Sequence, residues 1–217
     1  MAMLVDAPCV REICRRLSQI IEDPRSELNY ISDYTFLISV VMSAQTTDVQ
    51  VNKVTSVLFK KYNTIDQILS LGVEGLAEQI KSIGFFRAKA KHIIELSKIL
   101  KEKFNSKVPD TREELMTLPG VGQKSANVVL NTLYHKPFIA VDTHVLRLSK
   151  RLGLSENTDP KKVEEDLLQR IPSEYHSTIS DLLILFGRRI CPAKKPKCET
   201  CPLSDICPSA HHIKNKQ

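Results

Sequence analysis

The chain has no apolar stretch long enough to cross a bilayer, and nothing at its start resembles a secretory signal. A membrane span needs about 18–20 apolar residues, whereas the longest apolar-rich stretch, residues 36–44, is interrupted by Ser39 and Ser43. The chain opens without a cationic segment followed by an apolar one. Tryptophan is absent and aromatic residues make up only 6% of the 217 residues, but 42% apolar and 26% charged residues are ordinary for a globular protein. We therefore expect a cytoplasmic protein of one domain or two small ones, with no membrane partner.

Cysteine is scarce except at the end of the chain. Four of the six cysteines fall in the last 27 residues, namely Cys191, Cys198, Cys201 and Cys207. Structural disulfides are rare in a reducing compartment, so these clustered thiols predict a metal site. Their spacing, Cys-x6-Cys-x2-Cys-x5-Cys, contains one close pair where structural zinc usually has two, and it also differs from the ferredoxin runs. The spacing alone leaves zinc and an iron–sulfur cluster open.

Positive charge exceeds negative charge by 31 − 25 = 6, and most of the excess lies in the same tail. Residues 186–217 contain seven Lys or Arg and two Asp or Glu, a local excess of 7 − 2 = 5. A basic surface favours a polyanionic partner such as nucleic acid, although charge alone does not identify one.

The sequence lacks the alternation typical of strands, and almost every segment has helical spacing. Apolar residues between Val10 and Ile21 recur at i, i+3, i+4 and i+7, a stripe that predicts a helix with Cys14 in its core face. Asp159 followed by Pro160 is a typical helix start. Further helices are predicted at 33–43, 47–61, 64–70, 74–82, 87–104, 111–117, 123–134, 144–152, 160–170 and 174–187. The predicted fold class is all-α.

Residues 118–127, which read LPGVGQKSAN, predict a tight turn between two helices. Glycine permits positive φ and lets the backbone approach a ligand closely, which makes the segment Gly120, Val121 and Gly122 a candidate contact. The unpaired N–H groups of the helix that follows attract phosphate. A helical turn without a ligand is the alternative interpretation.

Residues 141–144, which read VDTH, lead into another predicted helix, and Asp142 lies 18 positions after Lys124. Asp142 is a candidate N-terminal cap, a role that is compatible with catalysis. His144 has a simpler alternative as a solvated residue of the first turn.

Three segments resemble the endonuclease III family: residues 118–133 (LPGVGQKSANVVLNTL), residues 140–144 (AVDTH) and the closing cysteines. Residues 43–48 (SAQTTD) and 51–53 (VNK) match as well, so the resemblance covers almost the whole chain. This family comprises the bifunctional DNA glycosylases and AP lyases of the helix–hairpin–helix Gly/Pro-Asp superfamily. Three motifs in order and at family spacing are far more specific than any one of them.

The resemblance implies a base-excision repair enzyme in which Lys124 attacks C1′ of a damaged nucleotide and forms a Schiff base. A lysine is almost entirely an unreactive ammonium at neutral pH, and a helix N-terminus with partial desolvation favours the neutral amine. Asp142 would accept a proton or stabilise the cationic sugar as the glycosidic bond breaks. The implied substrate is double-stranded DNA with oxidised pyrimidines or abasic sites, cleaved 3′ to the abasic site by β-elimination.

The same resemblance assigns residues that hold the opened duplex. Gln45 would fill the space left by the flipped nucleotide, and Phe85 would wedge into the opposite strand, as apolar side chains do when they kink DNA. A core role for Phe85 or Phe86 is the alternative. Asp48 and His144 would line the pocket.

The resemblance also specifies the metal, one [4Fe–4S] cluster per chain held by Cys191, Cys198, Cys201 and Cys207. Between the first two cysteines lie Lys194, Lys195 and Lys197, whose charge more than neutralises the net −2 of a cluster with four thiolates. We expect the metal to fix a DNA-binding loop that Pro192 and Pro196 restrict in shape. A solvated loop that only keeps the tail soluble is the alternative.

By similarity, the chain forms two helical domains that flank a DNA-binding cleft. Residues 26–136 would be a six-helix domain with the hairpin, and residues 1–25 plus 137–217 would be a helical domain with the cluster. Nothing in the sequence suggests an oligomer, so a monomer is expected. The rival functions are an adenine-mismatch glycosylase, which usually lacks the lysine found here at position 124, and a non-catalytic helix–hairpin–helix DNA-binding module.

Overall fold

The structure is a computed structural model that describes residues 4–22, 24 and 27–210. Every regular element in those residues is a helix, which confirms the predicted all-α class. The α-helices are α1 (Ala7–Ile20), α2 (Asp33–Ser43), α3 (Asp48–Leu58), α4 (Ile65–Gln79), α5 (Phe86–Lys103), α6 (Arg112–Leu115), α7 (Gln123–Tyr134), α8 (Thr143–Arg151), α9 (Pro160–Arg170) and α10 (Ile179–Arg189). None of the helices in the described ranges is long and apolar enough to cross a membrane.

The chain divides into two compact units. Residues 27–134 form one, here called the hairpin unit. The described residues before 27 form the other together with those from 135 to 210, here called the cysteine unit. The assignment of a function to each part of the chain remains a prediction.

Helix α2 is the centre of the hairpin unit and contacts α3, α5 and α7. Residues 34–42 are buried without a break, as expected for a helix that is apolar on all sides. Its start is fixed by Ser32 and Thr35, which cap each other's backbone in a reciprocal capping box. The elements that carry the candidate residues are therefore packed around one rigid helix.

Helix α4 bends at Gly72, whose φ of 63° is not helical. Glycine adopts this left-handed conformation without the steric cost that a Cβ would add. The sequence predicts two separate helices in this region, 64–70 and 74–82, and the bend at Gly72 lies between them.

The cysteine unit is built around α10, which contacts α1 and α8, while α8 also contacts α9. Cys14 of α1 lies in this core with no exposed surface, as predicted. The predicted start of the last helix at residue 174 is wrong, because α10 begins at Ile179 and residues 173–175 form a 3-10 turn. The His176 ring is 2.8 Å from the Ile171 carbonyl and holds this segment outside the helix.

Candidate functional site

The tight turn before α7 requires glycine at position 120. Gly120 has a φ of 81°, and a Cβ at this position would lie 3.1 Å from both His92 Nδ1 and Val41 Cγ1. The turn therefore sits directly on α2 and α5. The helix that precedes it is shorter than the predicted 111–117, because α6 covers only Arg112–Leu115 and the chain then turns.

The other two residues of the turn differ in what they can offer a ligand. Gly122 is exposed, and a Cβ there would meet no atom within 4 Å, so its backbone faces open space. The Val121 side chain is buried with 6% exposure, so only the backbone of this residue can contact a ligand. Gly122 also begins the helical bonding, since its carbonyl accepts from Ala126 N at 2.9 Å.

Lys124 is the second residue of α7, as the spacing predicts, and its side chain is exposed. The desolvation expected from the sequence is therefore not supplied by packing within the hairpin unit. An exposed amine at the start of a helix is accessible to a large substrate, and any desolvation must come from that substrate.

Gln45 and Phe85 occupy two strained turns that lie close together in the hairpin unit. Both have left-handed backbones, with φ of 55° and 57°, a conformation that is uncommon outside glycine and clusters at functional sites. A Cβ on Gly84 would lie 3.6 Å from the carbonyl oxygen of Gln45, which shows how near the two turns are. Phe85 is 69% exposed, so a core role is wrong for this residue.

The neighbours of these residues have clear structural roles. Phe86 is half-buried, with the Arg87 guanidinium 5.3 Å from its ring centroid. Asp48 is the first residue of α3, where its carboxylate interacts favourably with the positive end of the helix dipole, and Thr47 is the N-terminal cap.

Asp142 caps α8, since its Oδ1 accepts a hydrogen bond from Val145 N at 2.8 Å. The predicted capping role is confirmed, and a catalytic role remains a prediction. His144 is not a solvated residue of the first turn, because its Nδ1 lies 3.1 Å from Arg147 Nη2 and a Cβ on Gly187 would lie 3.1 Å from the same nitrogen. The imidazole is thus held between α8 and α10.

Two arginines of α8 hold the first cysteine of the tail, and sequence reasoning missed both. Arg151 Nη1 donates to Cys191 Sγ at 3.2 Å and to the Pro192 carbonyl at 2.8 Å. Arg147 Nη2 donates to the Cys191 carbonyl at 3.2 Å. Their spacing of four residues, on the helix that Asp142 begins, is the sequence signal that could have identified them.

None of the four tail cysteines is in a disulfide, and their charges affect the pKa values of Cys201 and Cys207. Burial, together with the smaller effect of the charges of Cys191 and Cys201, raises the pKa of the Cys207 thiol to about 11. Burial also raises the pKa of Cys201. Thiolates in such a place need a strong cationic partner, which iron supplies, so the donor set fits an iron–sulfur cluster. No group of three His, Cys, Asp or Glu in the described ranges is arranged around a single metal ion.

The lysines between the first two cysteines all face solvent. Lys194, Lys195 and Lys197 are exposed, and Lys195 has a φ of 52°. Buried Pro196 and a hydrogen bond of 3.0 Å from Lys197 N to the Ile190 carbonyl fix the end of the loop. Arg151 fixes its beginning through the Ala193 carbonyl at 2.9 Å. Three cations are therefore presented on a restrained loop.

The candidate residues are divided between the two units. Gln45, Phe85, the turn and Lys124 belong to the hairpin unit, whereas Asp142, His144 and the cysteines belong to the cysteine unit. Within the hairpin unit the structure places the Gln45 and Phe85 turns side by side.

Comparison with known proteins gives this arrangement a family. Residues 38–173 match the family model described as HhH-GPD superfamily base excision DNA repair protein, and residues 191–207 match the iron-sulfur binding domain of endonuclease III. The endonuclease III of Rickettsia felis is 47% identical over 94% of this chain and 95% of its own length. That of Escherichia coli K12 is 45% identical over 90% of this chain and 93% of its own. The solved structure of a trapped endonuclease III–DNA covalent intermediate has a TM-score of 0.92 at 40% identity and covers 99% of this chain and 100% of that chain.

The match over residues 38–173 thus defines a helix–hairpin–helix protein of base-excision DNA repair. The iron–sulfur match and the full-length similarity narrow the class. The chain belongs to the endonuclease III family and is a DNA glycosylase and AP lyase with a [4Fe–4S] cluster.

Proposed function

We propose that this enzyme releases oxidised pyrimidines from double-stranded DNA and cleaves the strand 3′ to the abasic site, with Lys124 as the nucleophile. The observation that carries the proposal is the position of Lys124, exposed in the first turn of α7 and two residues after the open backbone of Gly122. We further propose that it acts as a monomer on the chromosome in the cytoplasm.

The reaction begins when the neutral amine of Lys124 attacks C1′ and the bond from C1′ to the damaged base breaks. The base leaves with the electron pair of that bond and takes up a proton. The new amine at C1′ loses its proton, the ring oxygen O4′ leaves C1′ and is protonated, and an iminium, the Schiff base, remains. Loss of a proton from C2′ then expels the 3′ phosphate, which completes β-elimination.

Asp142 is proposed to assist base release by accepting a proton or by stabilising positive charge on the sugar. Its carboxylate keeps this capacity while capping α8, because only one oxygen accepts from Val145 N. A fixed charge aimed at a developing cation stabilises the transition state more than the ground state. His144 and Asp48 are proposed to line the pocket that receives the base.

DNA binding is proposed to use three features: the backbone of the turn before α7, the exposed Phe85 side chain, and the loop between the first two tail cysteines. The backbone N–H groups of Gly120, Gly122 and the start of α7 would contact phosphate, whereas Val121 N–H donates to the Leu118 carbonyl at 3.1 Å and would keep the turn closed. Phe85, with 69% of its surface exposed, would enter the stack, and Gln45 would occupy the gap. The exposed Lys194, Lys195 and Lys197 would contact phosphate outside the damaged site.

The cluster would be held by Cys191, Cys198, Cys201 and Cys207. When bound, the cluster supplies a rigid anchor for the tail. A mechanism in which a lysine attacks C1′ needs no electron transfer from it. Arg151 supports the anchor by donating to Cys191 Sγ and to the carbonyls of Pro192 and Ala193, at the start of the loop that carries the three lysines.

Borohydride trapping tests the proposed nucleophile. Borohydride reduces the iminium to a stable amine, so the enzyme should become covalently attached to duplex DNA with thymine glycol or with an abasic site. Lys124→Gln should abolish the adduct and retain DNA binding. Lys60→Gln, at another exposed lysine of the same unit, is the matched control and should trap like the parent enzyme.

Equal trapping by Lys124→Gln would overturn the assignment. Release of adenine opposite guanine without release of thymine glycol would instead favour a mismatch glycosylase. DNA binding with neither excision nor trapping by the parent enzyme would favour a non-catalytic module.

A further inference from the structure

Lys89 is a buried lysine that none of the steps above uses. It lies in the first turn of α5 with 5% of its surface exposed, whereas lysine is almost never this buried unless it is paired. Its ammonium donates to the Met42 carbonyl at 2.8 Å, the Ala44 carbonyl at 2.6 Å and Thr46 Oγ1 at 2.9 Å. All three acceptors are uncharged oxygens.

The three acceptors span the end of α2 and the turn that follows it. Met42 lies in the last turn of α2, and Ala44 and Thr46 flank Gln45. Lys89 itself lies four residues after Phe85, and Lys89 N bonds to the Phe85 carbonyl at 3.1 Å. One side chain therefore links the Gln45 turn to the helix that starts at Phe85. A second link runs in parallel, from Gln50 Nε2 to Ser82 Oγ at 2.9 Å.

Burial of a charge with neutral partners is a poor way to gain stability. Burial lowers the pKa of Lys89, which means that the interior disfavours the charged form. An apolar side chain of similar volume is often as stable as a buried charged group. We therefore interpret the three hydrogen bonds of Lys89 as fixing the position of the Gln45 turn relative to α5.

We propose that Lys89 is the positioning residue that holds the Gln45 and Phe85 turns as one rigid unit, so that both side chains enter the duplex together. This inference rests on the proposed roles of Gln45 and Phe85. Both turns have left-handed backbones, a conformation that persists only where the surroundings hold it. Lys89 supplies that restraint from inside the unit.

The proposal predicts that disturbing Lys89 has different effects on the rates of the two reactions, base excision and strand cleavage. Base release requires a damaged nucleotide to leave the stack, and groups that fill the gap offset the cost of unstacking. An abasic site has no base to unstack, so its cleavage depends less on the gap-filling residues. Disturbing Lys89 should therefore slow base excision far more than cleavage of a preformed abasic site.

The experiment compares two lysine-to-methionine variants of the same helix under single-turnover conditions. Lys89→Met removes the three donated bonds and keeps an unbranched apolar chain, whereas Lys98→Met changes an exposed lysine of α5 and is the matched control. We expect Lys89→Met to lose at least about tenfold in thymine-glycol excision, equivalent to about 1.4 kcal/mol, and less than about threefold in abasic cleavage. A 2-aminopurine beside the lesion should show a matching loss of the fluorescence rise that accompanies unstacking.

A lysine that only capped the end of α2 would lower the melting temperature and scale both activities equally by the folded fraction. Equal losses in the two reactions, or none, would overturn the proposal. If Lys89→Met does not fold, Thr46→Val removes one acceptor from a half-buried turn and should show the same unequal loss at smaller size. We expect the variants to be trapped by borohydride on abasic DNA as fully as the parent enzyme, which would show that the nucleophile is intact. Failure of trapping in the parent enzyme would refute the proposed function and not the role of Lys89.

Discussion

Replacing Gly120 by alanine should damage the hairpin, and the structure gives the size of the effect. The backbone at this position is left-handed with a φ of 81°. That conformation costs a residue with a Cβ about 1–2 kcal/mol. The new Cβ would also lie 3.1 Å from His92 Nδ1 and from Val41 Cγ1, closer than ordinary contact, and overpacking of this kind costs about 1–3 kcal/mol. The sum is a loss of about 2–5 kcal/mol in unfolding free energy.

Gly122→Ala is the matched control, because it adds the same methyl group two residues away. Nothing lies within 4 Å of that position, and its backbone is not left-handed. We expect its unfolding free energy to change by less than about 0.5 kcal/mol. If the open backbone of Gly122 receives phosphate, affinity for an abasic duplex should still fall about tenfold, or about 1.4 kcal/mol.

Thermal unfolding followed by circular dichroism measures the first effect, and fluorescence anisotropy with labelled duplex measures the second. For a chain of this size 1 kcal/mol corresponds to about 2–4 °C, so a loss of about 2–5 kcal/mol in Gly120→Ala should lower the midpoint by about 4–20 °C. Equal midpoints for the two variants would refute the reading of Gly120. Unchanged DNA affinity in Gly122→Ala would refute the phosphate contact at the turn.

The remaining predictions concern the cysteine unit. Asp142→Asn keeps the hydrogen bond to Val145 N but removes the charge, so single-turnover excision should fall at least about 100-fold with little loss of stability. Asp142→Ala also removes the helix cap and should lower the unfolding free energy by about 0.5–2 kcal/mol. Full excision per folded molecule in Asp142→Asn would leave only the capping role. Replacing Lys194, Lys195 and Lys197 together by alanine should flatten the dependence of log K on log salt by up to about three units, since each phosphate contact contributes about 0.9. An unchanged slope would mean that the loop does not touch DNA.

Features set by local chemistry could be predicted from the sequence. The start of α9 at Asp159 and Pro160 is found where expected, and Asp159 accepts from Lys162 N at 3.1 Å. The left-handed Gly120 and the cap at Asp142 follow from the same kind of reasoning. In each case the signal lies within four residues of the position it describes.

Features set by contacts between distant segments could not be predicted. His92 lies 28 positions before Gly120, and no pattern in the sequence indicates that the two touch. Lys89 did leave a signal, because it lies on the apolar stripe of α5 with Ile93 and Leu96, at i+4 and i+7. A charged residue on a buried stripe indicates a partner in another segment, but it does not say which one.

Lys89 and Lys124, two of the lysines in the hairpin unit, show how position within the same local motif decides chemistry. Lys89 and Lys124 both lie in the first turn of a helix, where a cation is disfavoured by the dipole. Lys89 escapes that cost by reaching the carbonyls of Met42 and Ala44, at the end of α2 where a cation is favoured. Its three donors are thereby occupied, and an attack on C1′ would have to break all three bonds. Lys124 is exposed, so its side chain is accessible to a large substrate from the start of α7. Burial, not sequence context, is therefore what separates a lysine suited to hold a turn from one suited to attack a sugar.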